Sequence, residues 1–207
     1  MTTDTAPRSR SEPTVQRILD AAEQLFAEQG FEGTPLREIA KKVGIREPSL
    51  YAHFAGKDAL YAAVIDRALQ PFMAAMQSWN HTELSLRQLL DIPRLMLQLH
   101  SQHPFAAQIL HREFSLPAQR INPQVMAWLY QFAEQSRIFM TTLPENQAHG
   151  VALPQVVVNL IALTQLTLGF FASQGMQERL LGDAYDREVL FEAHLKLVTR
   201  VFKALVI

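Results

Sequence analysis

The chain of 207 residues has no cysteine. Thiolate metal sites, thiol nucleophiles and disulfides are therefore excluded; the redox compartment is left undecided by this, and a cytoplasmic protein fits. It also has no charge excess. The formal net charge is −1, so any nucleic-acid binding must come from a local patch rather than from the whole protein. Long apolar runs are missing too: the most apolar stretch, Val156 to Ala172, is broken by Asn159, Thr164, Gln165 and Thr167, which argues against a membrane span. The first residues, MTTDTAPRSRSEP, are polar and do not read as a signal peptide. Strand signals are weak throughout. No glycine-flanked nucleophile elbow and no phosphate loop occurs, so neither an enzyme nor a bound cofactor is expected. What is abundant is apolar residues at helical spacing, with a hydrophobic content of 48%, and the chain reads as all-α with a sizeable core.

The informative stretch runs from Leu36 to Lys57, LREIAKKVGIREPSLYAHFAGK. Leu36, Ile39, Ala40 and Val43 recur at i, i+3, i+4 and i+7, one face of a helix. Gly44 follows, a residue free to enter a left-handed turn. Leu50 and Phe54 share a face, Pro48 falls in the first turn of this second helix, and Ile45 with Leu50 can staple its start. Two short helices joined by a glycine turn make the helix-turn-helix pattern, whose second helix presents its outer face to the DNA major groove. Charge agrees. This stretch holds five basic residues (Arg37, Lys41, Lys42, Arg46, Lys57) against two acidic ones, whereas Pro13 to Pro35 holds one against four. The basic half would face phosphate, or would be an ordinary solvated helix surface.

Upstream, Met1 to Glu12 is polar and aperiodic and is expected to be a disordered tail, with Arg8 and Arg10 solvated or touching DNA. A first helix is expected from Thr14 to Gln29, carrying Val15, Ile18, Leu19, Ala22, Leu25 and Phe26 on one stripe and ending at Gly30. Thr34 reads as the cap of the next helix with Pro35 at its first position, a terminus that could also hold a phosphate.

Ile18, Ala21, Ala22, Leu25, Phe26, Gly30, Phe31, Thr34, Ile39, Ala40, Val43, Gly44, Leu50, Tyr51, His53, Phe54, Lys57 and Leu60 carry a resemblance. From about Thr14 to Leu60 the chain resembles the N-terminal domain of the TetR family of transcriptional regulators. The resemblance implies that Leu50 and Phe54 hold the recognition helix, and that Tyr51 and Lys57 reach backbone phosphates. Arg46, Glu47, Ser49 and His53 would line the groove face. Arg37 and Lys42, from charge, and Thr34, from its place at a helix start, complete the candidate DNA contacts. Arg46 stands where the family more often has a Ser or Thr cap, and Glu47 where a basic or small residue is commoner. Glu47 would repel phosphate but can accept from a cytosine amino group.

Beyond Leu60 the reading rests on periodicity. A helix from Lys57, kinked at Pro71, should reach about Trp79; a loop, Asn80 to Leu84, and a Ser85–Gln88 capping box should follow. Further helices are expected through Leu99 with an interruption at Pro93, after His103-Pro104, from Asn122-Pro123 to Pro144, from Pro154 to a Gly175 cap, and from Asp186 to the end. The helix of Val156 to Gln174 is apolar on more than one side and must be buried on more than one side. It is either interior to a monomer or, as the family implies, half of a four-helix homodimer interface with the last helix. Val157, Ile161, Leu168, Phe171, Leu190, Leu197 and Val201 are the expected interface residues. Bulky middle-helix side chains suggest an effector pocket of Phe72, Met76, Met96, Phe114, Trp128 and Phe132, with His100, His103 and Gln165 as polar groups. The three histidines His100, His103 and His111 could in principle bind a metal, but Pro104 breaks the helix between them and no metal is expected.

These readings give a tail over 1–12, a DNA-binding domain over 13–56 and an effector-binding and dimerisation domain over 57–207. The expected protein is a regulator, most often a repressor, released from a palindromic DNA operator by a small, largely apolar effector. Two alternatives stay open: a helical small-molecule-binding protein with a vestigial DNA motif, or a protein that recruits a partner through its C-terminal helices.

Overall fold

The computed structural model describes residues 14–78, 86–142 and 152–206. Every regular element among them is helical. The tail, Trp79, the loop after it, Ser85 of the expected capping box, Pro144 and most of the loop before Pro154 lie outside the described residues, as does the side chain of Gln88. The chain divides into two compact units, Met1–Val64 and Ile65–Ile207. The division falls within helix α4 (Lys57–Ser78).

The first unit holds α1 (Thr14–Gly33), α2 (Leu36–Val43), α3 (Glu47–Tyr51) and the start of α4. The apolar stripes meet in one core: Ile18, Ala22 and Phe26 of α1, Ile39 and Ala40 of α2, Leu50 of α3, and Leu60 and Val64 of α4 are all buried. Phe26, Phe31 and Tyr61 close its side, with Tyr61 4.9 Å from each phenyl ring. Gly30 does not end α1 as expected. It takes φ 76° and ψ 172°, kinks the helix, and lets one more turn run to Gly33.

That kink explains a second departure. Thr34 is not the cap of α2; Pro35 holds that position with no side-chain hydrogen bond. The Thr34 hydroxyl turns inward toward the carbonyls of Gly30, at 2.8 Å, and Leu25, at 3.1 Å. A break in the helix leaves carbonyls without their amide donors, and a hydroxyl placed just beyond it supplies a replacement. Thr34 is accordingly 0% exposed.

The second unit holds the rest of α4 with α5 (Leu86–Gln102), α6 (Pro104–Phe114), α7 (Pro123–Thr142), α8 (Leu153–Ala172), α9 (Gln174–Leu181) and α10 (Arg187–Val206). Pro71 and Pro93 are accommodated inside their helices, so α5 is not interrupted. His103 (φ −125°, ψ 63°) separates α5 from α6. Asn122 opens α7, its side-chain oxygen accepting from the Gln124 N–H at 2.9 Å. The buried Glu113 carboxylate accepts the Asn122 N–H at 2.7 Å and so ties α7 to the end of α6. Asp186 caps α10 through the N–H groups of Glu188 and Val189. Gly175 does not cap α8, which ends at Ala172; it lies inside α9, a separate short helix. By length and composition α8 could cross a membrane. In this unit it packs against α5, α6, α7 and α10 as the shared wall of the core.

Candidate nucleic-acid interface and ligand cavity

The α2–α3 turn is built by Gly44, at φ 78°. Its N–H donates to the carbonyls of Ala40 (3.0 Å) and Lys41 (3.2 Å), and the Ile45 N–H donates to Ala40 as well (3.0 Å). The last carbonyls of α2 are thereby satisfied while the chain reverses. The Arg17 guanidinium on α1 donates to the Val43 carbonyl and pins the same end of α2. Nothing in the sequence marked Arg17 for this task, because only the fold brings it to Val43.

Leu50 is 0% exposed, whereas its neighbour Tyr51 is 53% exposed. The buried leucine seats α3, and the tyrosine stands out from the unit. Arg37 and Lys42 on α2 and Arg46, Glu47, Ser49 and His53 around α3 are all exposed. This gathers four candidate groove residues (Arg46, Glu47, Ser49, His53) and three candidate phosphate contacts (Arg37, Lys42, Tyr51) on the α2–α3 segment. Thr34 does not join them, since its hydroxyl is committed inside the unit. The Lys57 ammonium lies 4.5 Å above the Phe31 ring and donates to the Glu32 carbonyl at 3.4 Å, so it is folded onto the unit's own surface.

The second unit contains a partly open cavity of about 160 Å³. Phe72, Met96, His100, Phe114, Trp128 and Phe132 line it, as expected from the sequence. His103, exposed at the start of α6, and Gln165, exposed on α8, do not. The Met76 side chain lies outside the described residues. Gln135, Ser136, Thr164 and Thr167 line the cavity without having been expected there. The hydroxyl of Thr167 is turned back to the carbonyls of Leu163 and Thr164, at 3.0 and 3.1 Å. Small hydroxyls on an apolar helix give no signal of which way they face.

His100 is 6% exposed and packs its ring 4.7 Å from Phe72. Burial lowers its pKa to about 4, partly opposed by the Met96 backbone and slightly reinforced by His103. It is therefore neutral at neutral pH. Trp128 is stacked between Phe114 (6.4 Å) and Phe132 (5.2 Å). Among the described residues no group of His, Asp and Glu is arranged to hold a metal ion.

On the exposed side, α8 shows Val157, Val158 and Ile161, and α10 shows Val189 and Leu197. Leu190 and Val201 are half-buried. Leu168 and Phe171, expected at an interface, are instead 1% and 6% exposed within the single chain. Leu168 faces the cavity, and Phe171 lies 5.8 Å from the His100 ring. A side chain already buried in its own unit has no surface left to bury against a partner.

Comparison with known proteins bears on both parts. Residues 18–64 match the family model of the bacterial regulatory proteins of the tetR family. The HTH-type transcriptional regulator RutR of Escherichia coli K12 is 25% identical over 198 residues, spanning 95% of this chain and 92% of its own. IcaR, the negative transcriptional regulator of the biofilm operon icaADBC in Staphylococcus epidermidis, is 26% identical, spanning 83% and 90% of the two chains. Among solved structures, a TetR-like transcriptional regulator from Rhodococcus sp. RHA1 superposes with a TM-score of 0.66 at 22% identity, over 94% of this chain and 96% of that one.

Proposed function

The chain belongs to the TetR family and is a DNA-binding transcriptional regulator, and from that premise we propose that it acts as a homodimeric repressor, in the cytoplasm, on a palindromic operator. The observation that carries this reading is the division of labour within α3: a fully buried Leu50 beside an outstanding Tyr51. Arg46, Glu47, Ser49 and His53 read bases, while Tyr51, Arg37 and Lys42 hold phosphates. Lys57 joins the phosphate contacts by swinging off Phe31. The exposed apolar rows of α8 and α10 support pairing of two copies, which sets two recognition helices about one DNA turn apart or a multiple of it.

The effector, small and largely apolar, occupies the cavity of the second unit. Release of DNA requires that it bind the DNA-incompetent state of the dimer better than the bound state; equal affinity for both would change nothing. Helix α4 is continuous from one unit into the other and is the covalent link available to carry that preference. The test is selection of bound duplexes from a random DNA pool by the purified protein. An enriched palindrome is the expected outcome. A selected pool that stays random, at low salt and without added ligand, contradicts the reading.

A further inference from the structure

The cavity of the second unit is drawn out rather than round. A round void of about 160 Å³ would be about 7 Å across, little more than one helical turn. Along α8, however, the cavity meets Val156, Asn159, Leu160, Leu163, Thr167 and Leu168, one face of the helix followed for twelve residues. Along α7 it meets Trp128, Phe132, Gln135, Ser136 and Met140, again one face over twelve residues. Twelve residues of helix advance about 18 Å. The same volume spread along such a length is a narrow slot.

Its two ends differ in chemistry. Phe72, His100, Leu110, Trp128 and Leu168 are all buried, and contacts gather them at one end. The His100 ring packs 4.7 Å from Phe72 and 5.8 Å from Phe171, which lies three residues past Leu168. Phe114 of α6 stacks on Trp128, and His111, one turn earlier on α6, lies beside Gly169. Toward the other end Gln135, Ser136, Met140 and Asn159 are only half-buried. Asn159 accepts from the exposed Gln155 amide at 2.8 Å, which puts this end at the surface. The slot is thus closed and apolar at Leu168 and open at Asn159, where two carboxamides and a hydroxyl stand near the mouth. No Asp, Glu, Lys or Arg occurs among the described residues lining it.

We propose that the effector is an unbranched aliphatic chain of about six to eight carbons with an uncharged hydrogen-bonding head, its tail at Leu168 and its head at Gln135, Ser136 and Asn159. This rests on the reading of the cavity as the effector site. A methylene takes roughly the volume of a water molecule, about 30 Å³, so the slot holds five or six, and its length leaves room for slightly more. Tail-first entry buries the chain against apolar walls and leaves the head where polar partners and water can satisfy it. A bulky ring system of equal carbon count would have to push the two long helices apart.

The test uses the full native chain in titration calorimetry with 1-butanol, 1-hexanol, 1-octanol and 1-decanol. Affinity should rise about three- to fourfold with each methylene from butanol to hexanol, and should stop rising by decanol. Cyclooctanol, with the carbon count of octanol in a compact shape, should bind at least about tenfold more weakly than octanol. Octanoate at neutral pH should also bind at least about tenfold more weakly. Direction is read from Trp128 fluorescence in a Trp79→Phe background, where Trp128 is the sole tryptophan. The heavy atom of 7-bromo-1-heptanol, at the tail, should quench it more than that of 2-bromo-1-heptanol, beside the head.

A gain that continues through decanol overturns the closed end, and cyclooctanol binding within a few-fold of octanol overturns the slot. Octanoate binding as tight as octanol overturns the uncharged head, and equal or reversed quenching overturns the tail-first direction. Binding of none of the alkanols overturns the proposal as a whole. The calorimetric comparisons need no variant, so they decide the ligand class even should Trp79→Phe fail to fold. Calorimetry reads the cavity alone: alkanol binding that leaves DNA affinity untouched would count against effector-driven release and leave the ligand class standing.

Discussion

Tyr51→Phe is the sharpest probe of the proposed DNA-binding surface because it removes one oxygen and nothing else. Tyr51 is 53% exposed, and the adjacent Leu50, which seats the helix, is 0% exposed. The substitution should therefore leave folding stability within about 0.5 kcal/mol of the native value. A hydrogen bond to a charged phosphate contributes roughly 1.5–3 kcal/mol. A dimer makes it twice, so even the lower figure gives a loss of about 3 kcal/mol, on the order of a hundredfold in Kd.

Fluorescence anisotropy with the enriched duplex and a scrambled one, each over a range of salt, measures the effect. Both duplexes should lose the same factor, since a phosphate contact carries no base information. The slope of affinity against salt should stay constant, because a neutral hydroxyl releases no counterion. Lys42→Ala should instead lower that slope by about two for the dimer. Unchanged affinity, or a loss confined to the enriched duplex, would refute the phosphate role of Tyr51.

Thr34→Val should destabilise the first unit by about 1–2 kcal/mol in denaturant melts, since it strips the donor from the carbonyls at the α1 kink. Thr34→Ser keeps the donor and should keep both stability and DNA affinity; a DNA-specific loss in the serine variant would mean that this hydroxyl meets phosphate after all. Ile161→Asp, at a position 55% exposed, should convert the dimer to monomer in analytical ultracentrifugation and weaken DNA binding while shifting Tm little. A dimer that survives it would move the interface off α8. For His100, the folded state refuses a proton that the unfolded chain accepts below about 6.5. Stability should be unaffected by this group above that pH and should fall by about 3 kcal/mol between there and about pH 4. His100→Phe should flatten that part of the acid profile, with half-buried His194 and the carboxylates left as its remaining contributors.

The two units differed in how much of them could be read from the chain, and the reason is local. In the first unit each helix is amphipathic, so its stripe names its buried face: Ile39, Ala40 and Val43 are expected inside and are inside. The departures there arise at one residue, Gly30, whose positive φ kinks the helix and draws Thr34 inward. A Thr-Pro pair reads as a cap because that is its commonest use; only the third dimension shows carbonyls nearby in greater need of the hydroxyl.

In the second unit α8 is apolar nearly all round, so periodicity cannot rank its faces. Leu168 and Phe171 are as apolar as Val157 and Ile161, yet the first pair is buried within the chain and the second is left outside. What separates them is where α5, α6, α7 and α10 pack, a long-range outcome with no signature inside the helix itself. The same packing decides which polar groups meet the cavity: His100 is enclosed, while His103, three residues on, is exposed where the chain breaks at Pro104. A cavity built this way, from faces that local pattern leaves undetermined, can exchange one wall residue for another without disturbing the helices that carry them. The buried positions of the first unit have no such freedom, because each apolar face of its short helices is already assigned to the core. That contrast predicts where change in specificity is accessible to single substitutions: in the cavity wall at positions such as Phe132 and Thr164, and not at Leu50 or Ile39.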